Sequence, residues 1–446
     1  MSDESLRARE LRPGQSIADD RSAQSAARGA RGGHRAAAVP GGPDPFEAFD
    51  DYVGGDVRNP YPELARHRKS SPVMHGGLMG VPAPGFGPDE TFTLLRFEDC
   101  SAALRDAGTF SSRIYDGTIG AVMGRTILGM DDPEHRKHRN LVAYAFRQSA
   151  LERWNPSLVA PVCNSLVDQF AAAGVAELVR QYTSELPTRV IARLLGLPDD
   201  DVTELQRWSV ELIGAGADEE RGMAASAGLR DYFAEVVALK RRHLGKDVIS
   251  DLVKGGVDGE TLADEVIYSF LRLLLPAGVE TTYRSTGNLL YLLLSTPKQL
   301  ARVEAKRGLL ASAVEEALRV EPPLLFITRM TTREVEVAGV RIPEGASVEI
   351  CLGSANHDES RWFDPDDFDI QRPAKPHLAF ATGAHMCLGL HLARMEMRVA
   401  ATVLLDRLKG LRLDPREGNS GTMDPHIKGM VFRSPSSLPV AFEASG

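Results

Sequence analysis

Four cysteines in 446 residues, none in a Cys-x-x-Cys pair, are too few and too scattered for a disulfide framework or a clustered iron–sulfur site. Cys100, Cys163, Cys351 and Cys387 read as free thiols of a reducing compartment, so a cytoplasmic location is expected. Long apolar runs are missing as well. The richest, 271–275 and 289–294, fall far short of the roughly 18 residues that span a bilayer, and Arg272 and Asn288 interrupt their surroundings. Positive charge is not in excess: 52 Lys and Arg stand against 61 Asp and Glu, a net charge of −9 that argues against nucleic acid as a partner. There is no Walker pattern, no internal repeat and no dinucleotide fingerprint. The start of one, Gly214-Ala215-Gly216, has Glu219 where a third glycine would stand and no strand before it.

What remains is ordinary for a water-exposed globular chain, with 43% hydrophobic and 25% charged residues. The length would admit two or three domains, but no linker-like stretch follows residue 46, so one large domain over 46–446 is expected. Residues 1–45 differ: Ala, Gly, Ser, Pro and Arg dominate, and a disordered, solvated tail is expected. Asp3, Glu4, Glu10, Asp19 and Asp20 argue against a transit peptide, and the lack of an apolar centre argues against a signal peptide. Helical periodicity predicts helices over 46–67, 97–105, 190–197, 202–213 and 223–242, with a hinge at 214–218. A strand is expected at 91–95. Alternation of Val335, Val337, Val340, Ile342, Val348 and Ile350 around two Gly-containing turns predicts a small β-meander.

Four segments carry chemistry. In Phe380-Ala381-Thr382-Gly383-Ala384-His385-Met386-Cys387-Leu388-Gly389, a turn-rich stretch runs into an amphipathic helix marked by Leu388, Leu392, Met395, Val399 and Val403. Cys387 then sits at or just before a helix start, where unpaired N–H groups favour an anionic sulfur, and its thiol is expected to ionise easily. Gly383 and Gly389 leave room for close approach to a flat ligand, and His385 can donate to anions. A buried structural cysteine is one alternative. A zinc site of His385, Cys387 and His391 is another, although it lacks a fourth ligand.

The second segment is a long apolar helix opening at 261–264 and passing Leu290, with Ala277-Gly278-Val279-Glu280-Thr281-Thr282 at its centre. Pro276 frees the carbonyl of Arg272 and is expected to bend it. Third, Glu316 and Arg319 lie three apart on one helical face and can form a salt bridge. Fourth, Asp132 and Pro133 read as the cap and first residue of a helix on which His135 and Arg139 share a face.

Taken in order, these segments resemble the cytochrome P450 family over roughly residues 46–446. The cysteine segment is similar to the family's haem loop, departing at Ala381, where the family has Gly, Ser, Asn or His. The resemblance implies a mostly α fold with small β-sheets, a single domain holding haem between the long central helix and the cysteine-loop helix. It implies haem b ligated by the Cys387 thiolate, with Phe380, Gly383, His385, Gly389 and Ala277 around it and His135, Arg139 and Arg329 meeting the propionates. Thr281 and Glu280 would serve oxygen activation and proton relay, and Gly278 would leave space for a diatomic ligand. Arg372 would join Glu316 and Arg319 in a structural triad, and His357 replaces a usual arginine.

The implied activity is a monooxygenase that hydroxylates a hydrophobic small molecule with O2. Since the chain lacks a flavin, nicotinamide or iron–sulfur motif of its own, a separate ferredoxin and reductase are expected to supply electrons, docking through Arg136, Lys137 and Arg394 to a monomer. Pocket walls are expected from Leu274, Ala277, Leu324, Leu325, Phe326, Ile327, Met430, Val431 and Phe432, and from a mobile loop over 111–127. A peroxide-driven haem enzyme and a non-catalytic haem sensor or carrier are the remaining alternatives.

Overall fold

Apolar residues spaced for a helix do not by themselves say what covers them, and the 32-residue helix at the centre of the molecule shows the answer. The computed structural model describes residues 49, 55–78, 87, 90–143, 146, 158–254, 262–414 and 425–444. The expected tail, 1–45, and the expected domain start at 46 lie outside the described residues. Among the described residues the helices are α1 (Tyr61–Ser70), α2 (Phe97–Arg105), α3 (Ile119–Met123), α4 (Glu134–Ala143), α5 (Ala160–Val167), α6 (Glu185–Leu194) and α7 (Val202–Ile213). There follow α8 (Glu219–Arg242), α9 (Val248–Lys254), α10 (Asp264–Ser295), α11 (Pro297–Ala305), α12 (Leu310–Val320), α13 (Leu352–Asn356) and α14 (Leu390–Arg407).

Helix α10 is the axis. It packs against α6, α7, α8, α12 and α14, and most of its residues, from Ile267 to Leu294, are buried. A helix apolar nearly all round is stable in water only when neighbours cover most of its surface, as they do here. The helix continues across Pro276, so the expected bend does not end it. Close approach has a visible cause at one point: a Cβ on Gly278 would lie 2.8 Å from Cδ1 of Ile191 in α6. A larger residue there would have to displace the Ile191 side chain.

The strands sit to one side. A five-stranded sheet runs β1 (Val73–His75), β2 (Thr91–Leu94), β8 (Ser347–Ile350), β5 (Ile327–Thr331), β3 (Phe110–Ser111), with only β2 and β8 parallel. The expected meander is therefore divided. Strands β6 (Val335–Val337) and β7 (Val340–Ile342) form a separate hairpin turning at Ala338 and Gly339, both at positive φ, while β8 joins the larger sheet. Two sheets went unread: β4 (Val175–Glu177) with β12 (Pro439–Ala441) and β9 (Arg412–Leu413), and β10 (Ile427–Lys428) with β11 (Ser434–Pro435). Strands of two or three residues are too short to show alternation.

Helices α2 and α7 match their expected bounds, and α6 and α8 begin five and four residues earlier than expected, α8 because Asp218 caps it by accepting from Arg221 N at 3.0 Å. The helix expected over 46–67 is corrected: residues 55–60 are turn and extended chain, and α1 starts only after Pro60. The hinge at 214–218 is a compact 3-10 turn in which Gly222 abuts Ala215. The loop expected over 111–127 contains a 3-10 turn and α3. No helix of the described residues is long and apolar enough to cross a membrane.

Candidate functional site

The cysteine segment folds into a turn whose shape two residues decide. Ala381 has φ +55° and Gly383 φ +76°. At Gly383 a Cβ would stand 2.3 Å from the carbonyl oxygen of Leu104, so only glycine lets the loop lie on the end of α2. Ala381 pays a left-handed strain of roughly 1 kcal/mol, where a glycine would pay none. Cys387 N donates to the carbonyl of Phe380 at 3.0 Å, closing the turn, and Gly389 caps α14. Gly389 has open space where a Cβ would stand, whereas Gly383 is packed against the Leu104 carbonyl.

The Cys387 thiol is half-buried in a free side chain. Its expected easy ionisation is corrected: burial pushes its pKa up, and the Gly389 N–H, Arg139 and Arg394 only partly offset this. Desolvation outweighs the helix start, because an ion loses more hydration than one dipole end returns. A bound metal ion would reverse that balance, since coordination deprotonates a thiol outright.

Above the thiol four basic groups converge from three separate elements. His135 on α4 stacks on His385 of the cysteine loop with centroids 4.0 Å apart. Arg139, one turn along α4, donates to the carbonyl of Met386. Arg329 on β5 is buried, bonded to the carbonyl of Thr328 at 2.7 Å and lying over the Tyr115 ring. Burial and the positive charge of His135, Arg329 and Arg139 pull the His385 pKa down to about 3. Burial, then Arg139, lowers that of His135 against the pull of Asp132. His135 Nε2 is buried with no hydrogen-bond partner. Such a cluster repels itself and is short of negative charge.

The central helix supplies the facing wall. Ala277 is exposed in the middle of an otherwise buried helix, and its carbonyl accepts from Thr281 Oγ1 at 2.8 Å. Two expectations change here. Gly278 does not open the site, because its missing side chain is needed against Ile191; Ala277 is the residue on the open face. Glu280 does not face water: it is 2% exposed, with Oε2 3.5 Å from Nη2 of Arg284, whose Nη1 donates to Ser434 Oγ at 2.9 Å. Successive residues are 100° apart on a helix, so Glu280 and Thr281 cannot share a face. The four-residue spacing of Glu280 and Arg284 was the readable signal for this pair.

Of the remaining wall residues, Leu274, Leu324, Phe326, Ile327, Met430, Val431 and Phe432 are half-buried. Leu325 is corrected to core: it is fully buried with Tyr61, Leu64, Leu95 and Cys351, against Gly353. Away from the thiol, Glu316 binds Arg319 through two bonds of 2.8 and 2.9 Å and Arg372 Nε at 2.8 Å, bringing the three together. His357 fills its place with Nδ1 2.7 Å from Asp366 and its ring stacked on Tyr61. Arg394 is committed to Glu315 through bonds of 2.6 and 2.8 Å and lies over Phe380, so it is no docking cation. Tyr115, whose hydroxyl accepts from Thr328 N at 3.0 Å, was missed; nothing local marked it.

These residues suit a flat, doubly anionic macrocycle with a metal at its centre. The loop offers one soft ligand, and beside it stand basic groups that the fold leaves without a carboxylate. A zinc site does not fit: among the described residues no three His, Cys, Asp or Glu side chains lie close enough to hold a metal, and His391 is exposed.

Comparison with known proteins agrees. The family model for Cytochrome P450 matches residues 215–436. The Biotin biosynthesis cytochrome P450 of Bacillus subtilis is 32% identical over 398 residues, covering 87% of this chain and 97% of the relative. The Mycinamicin IV hydroxylase/epoxidase of Micromonospora griseorubida is 32% identical, covering 88% and 98%. Among solved structures, P450BioI in complex with hexadec-9Z-enoic acid ligated acyl carrier protein superposes with a TM-score of 0.77 at 31% identity, covering 86% and 98%.

Proposed function

Since this chain belongs to the cytochrome P450 family, monooxygenases whose cofactor is haem b on a cysteine thiolate, we propose that it hydroxylates a hydrophobic small molecule with O2 and electrons from a separate ferredoxin and reductase. One observation supports the reading: a single thiol stands in a tight loop beside four basic groups, His135, Arg139, Arg329 and His385, that converge from three elements without an answering carboxylate.

When bound, the haem iron supplies the activation of molecular oxygen. The chain supplies the rest. Cys387 holds the metal from a turn locked by the Phe380 carbonyl and Gly383, so the sulfur cannot drift. His135, Arg139, Arg329 and His385 take up the two propionate charges. Ala277, small and exposed on α10, would leave room for the group and its substrate. Thr281 keeps a proton at Oγ1, parked on the Ala277 carbonyl, where a quarter-turn of the side chain redirects it into the site. Glu280, held by Arg284 on the covered flank, is a proton source only when that pair parts. Half-buried apolar groups at 324, 326, 327 and 430–432 exclude water from the substrate side. Hydroxylation or epoxidation is what one relative's name states of that relative, and the acyl chain in the solved neighbour is likewise an extended apolar ligand.

Electrons would enter on the cysteine side. Arg136 and Lys137 are exposed there, and the Arg136–Asp132 pair, with side chains 70% and 40% exposed, is weak enough to exchange partners.

The test is spectroscopic and chemical. The reduced, carbon-monoxide-bound protein shows the strongly red-shifted Soret band of thiolate ligation, and Cys387→His removes it. With ferredoxin, reductase and labelled oxygen gas, one labelled atom enters the product. Thr281→Ala keeps consuming electrons but diverts most of them to peroxide. Turnover at full rate with peroxide alone, or ligand binding with no consumption of reduced cofactor, sinks the proposal.

A further inference from the structure

Strand β5 outruns one of its neighbours. β3 pairs only with Met330 and Thr331, so the backbone at Thr328 lies past its end. A sheet edge left in this way has an N–H and a C=O to satisfy. Two side chains answer. The Thr328 N–H donates to the Tyr115 hydroxyl at 3.0 Å, and the Thr328 carbonyl accepts from Arg329 Nη1 at 2.7 Å. One residue's edge therefore sets a phenol and a guanidinium side by side, with Arg329 Cζ 5.9 Å from the centre of the Tyr115 ring.

Tyr115 is fixed from behind. It ends the 3-10 turn Ser112–Tyr115, which Ser111 caps by accepting from Arg113 N at 3.1 Å. Asp131 holds that turn, accepting from Ser112 N at 3.0 Å and from Ser111 Oγ at 2.5 Å, and its carbonyl accepts from His135 N at 2.9 Å. The turn is thereby tied both to β5 and to the helix that carries His135 and Arg139.

The groups gathered here have donors to spare. Arg329 is 4% exposed, yet among the described residues no carboxylate pairs with it and its Nε and Nη2 donate to nothing. Its charge reaches His385 of the cysteine loop, and on the ring stacked there His135 Nε2 is buried without a partner. The half-buried Tyr115 has spent a lone pair of its oxygen on the Thr328 N–H, so its own proton points elsewhere, and no described residue accepts it. Buried donors left open are costly unless a ligand brings the acceptors.

We infer that Tyr115 is a haem-propionate ligand, its hydroxyl donating together with Arg329 to one carboxylate of the bound haem. A carboxylate accepts on two oxygens, and a guanidinium beside a phenolic O–H offers a charged and a neutral donor to them. The ring has a second effect, since its face holds the guanidinium in place before the haem arrives. The inference rests on the haem-thiolate reading above and adds a neutral donor to its four basic groups.

The test follows the haem rather than turnover. The unaltered protein and Tyr115→Phe, both loaded with haem, are compared by haem transfer to apomyoglobin and by the propionate-bending band of the resonance Raman spectrum. Tyr115→Phe keeps the ring against Arg329 and loses the hydroxyl. It is expected to release haem about tenfold faster, equivalent to about 1.4 kcal/mol, and to shift the propionate band to lower frequency. Reconstitution with the dimethyl ester of haem, which has no carboxylate, separates a bond to the propionate from a contribution to the fold: the two proteins then release the ester at the same rate. Where Tyr115→Phe does not fold, 3-fluorotyrosine in place of Tyr115, a stronger donor of nearly the same shape, shifts the band to higher frequency and slows release. A propionate band and a release rate that neither substitution moves overturn the inference, as does an acceleration in Tyr115→Phe that is equally large with the dimethyl ester. The red-shifted Soret band of the reduced, carbon-monoxide-bound protein persists in each of these haem-loaded proteins, so its presence keeps the haem-thiolate reading in place when this inference fails.

Discussion

Two clusters of arginine in this molecule are built from the same residue type and behave in opposite ways. At the triad, Glu316 sits between Arg319 and Arg372, and carbonyls of Asn356, Pro365 and Asp367 take the remaining Arg319 donors. Every charge there is answered within the fold. Beside Cys387, burial first, and then the charges of Arg139, Arg329 and the neighbouring ring, keep His135 and His385 neutral. The first arrangement rivets α12 to the chain after α13. The second leaves its positive charge without a carboxylate from the fold. Counting partners, rather than counting charges, separates structural arginines from binding arginines.

The contrast can be broken most forcefully at the triad. Glu316→Ala leaves two arginines, one of them buried, without a counter-charge and is expected to cost about 3–5 kcal/mol in denaturant unfolding of the haem-free protein. A loss below 1 kcal/mol would make the triad decorative. The same experiment at the other cluster should have the reverse sign. Arg329→Met removes an uncompensated buried charge, so the haem-free protein is unchanged or gains about 1 kcal/mol. Haem transfer from this variant to apomyoglobin nevertheless becomes roughly tenfold faster, because a propionate loses its partner.

A third pair lies between these extremes. Burial pushes the Glu315 pKa up, but His377 and Arg394 more than compensate and bring it down to about 2. A folded pKa below the unfolded one gives stability that is complete above about 4.5 and fades as pH falls towards 2. The Glu315 side chain is 44% exposed, so solvent screening reduces the effect to about 1 kcal/mol. Glu315→Gln should therefore lower stability by that amount at neutral pH and by almost nothing near pH 2, read from unfolding curves at each pH.

A last comparison tests an acid with no answering charge. Glu396 is buried on α14 with Oε2 unbonded, and burial raises its pKa well above the usual range. It stays protonated while the unfolded chain ionises, so it costs stability progressively as pH rises past about 4.5. Glu396→Gln is expected to be neutral in acid and increasingly stabilising as pH rises past about 4.5, by up to about 1.4 kcal/mol per pH unit. A destabilised variant whose deficit is the same at every pH would show that the acid proton makes a specific bond.

Some of this was legible without coordinates because it is local. The loop from Phe380 to Gly389 and helices α2 and α7 depend largely on neighbours within a few residues, so turn chemistry and periodicity expose them, whereas the cap at Asp218 was read as a hinge. The contact of Tyr115 with Thr328 spans 213 residues of chain, so no local pattern announces it. Gly278 illustrates a subtler gap. Its place in a motif was plain, yet which neighbour demanded a glycine depended on the approach of Ile191 from another helix. Leu325 was equally apolar whether it lined a cavity or filled the core.

The order of residues along the chain determined the secondary structure of the long elements, the thiol at the head of α14 and the basic positions that accompany it. Those features follow from bond geometry and spacing, which act over a few residues. The fold alone decided which charges found partners, which face of α10 stayed open and which small strands paired. Those outcomes follow from desolvation and contact, which depend on distance in space rather than on separation along the chain.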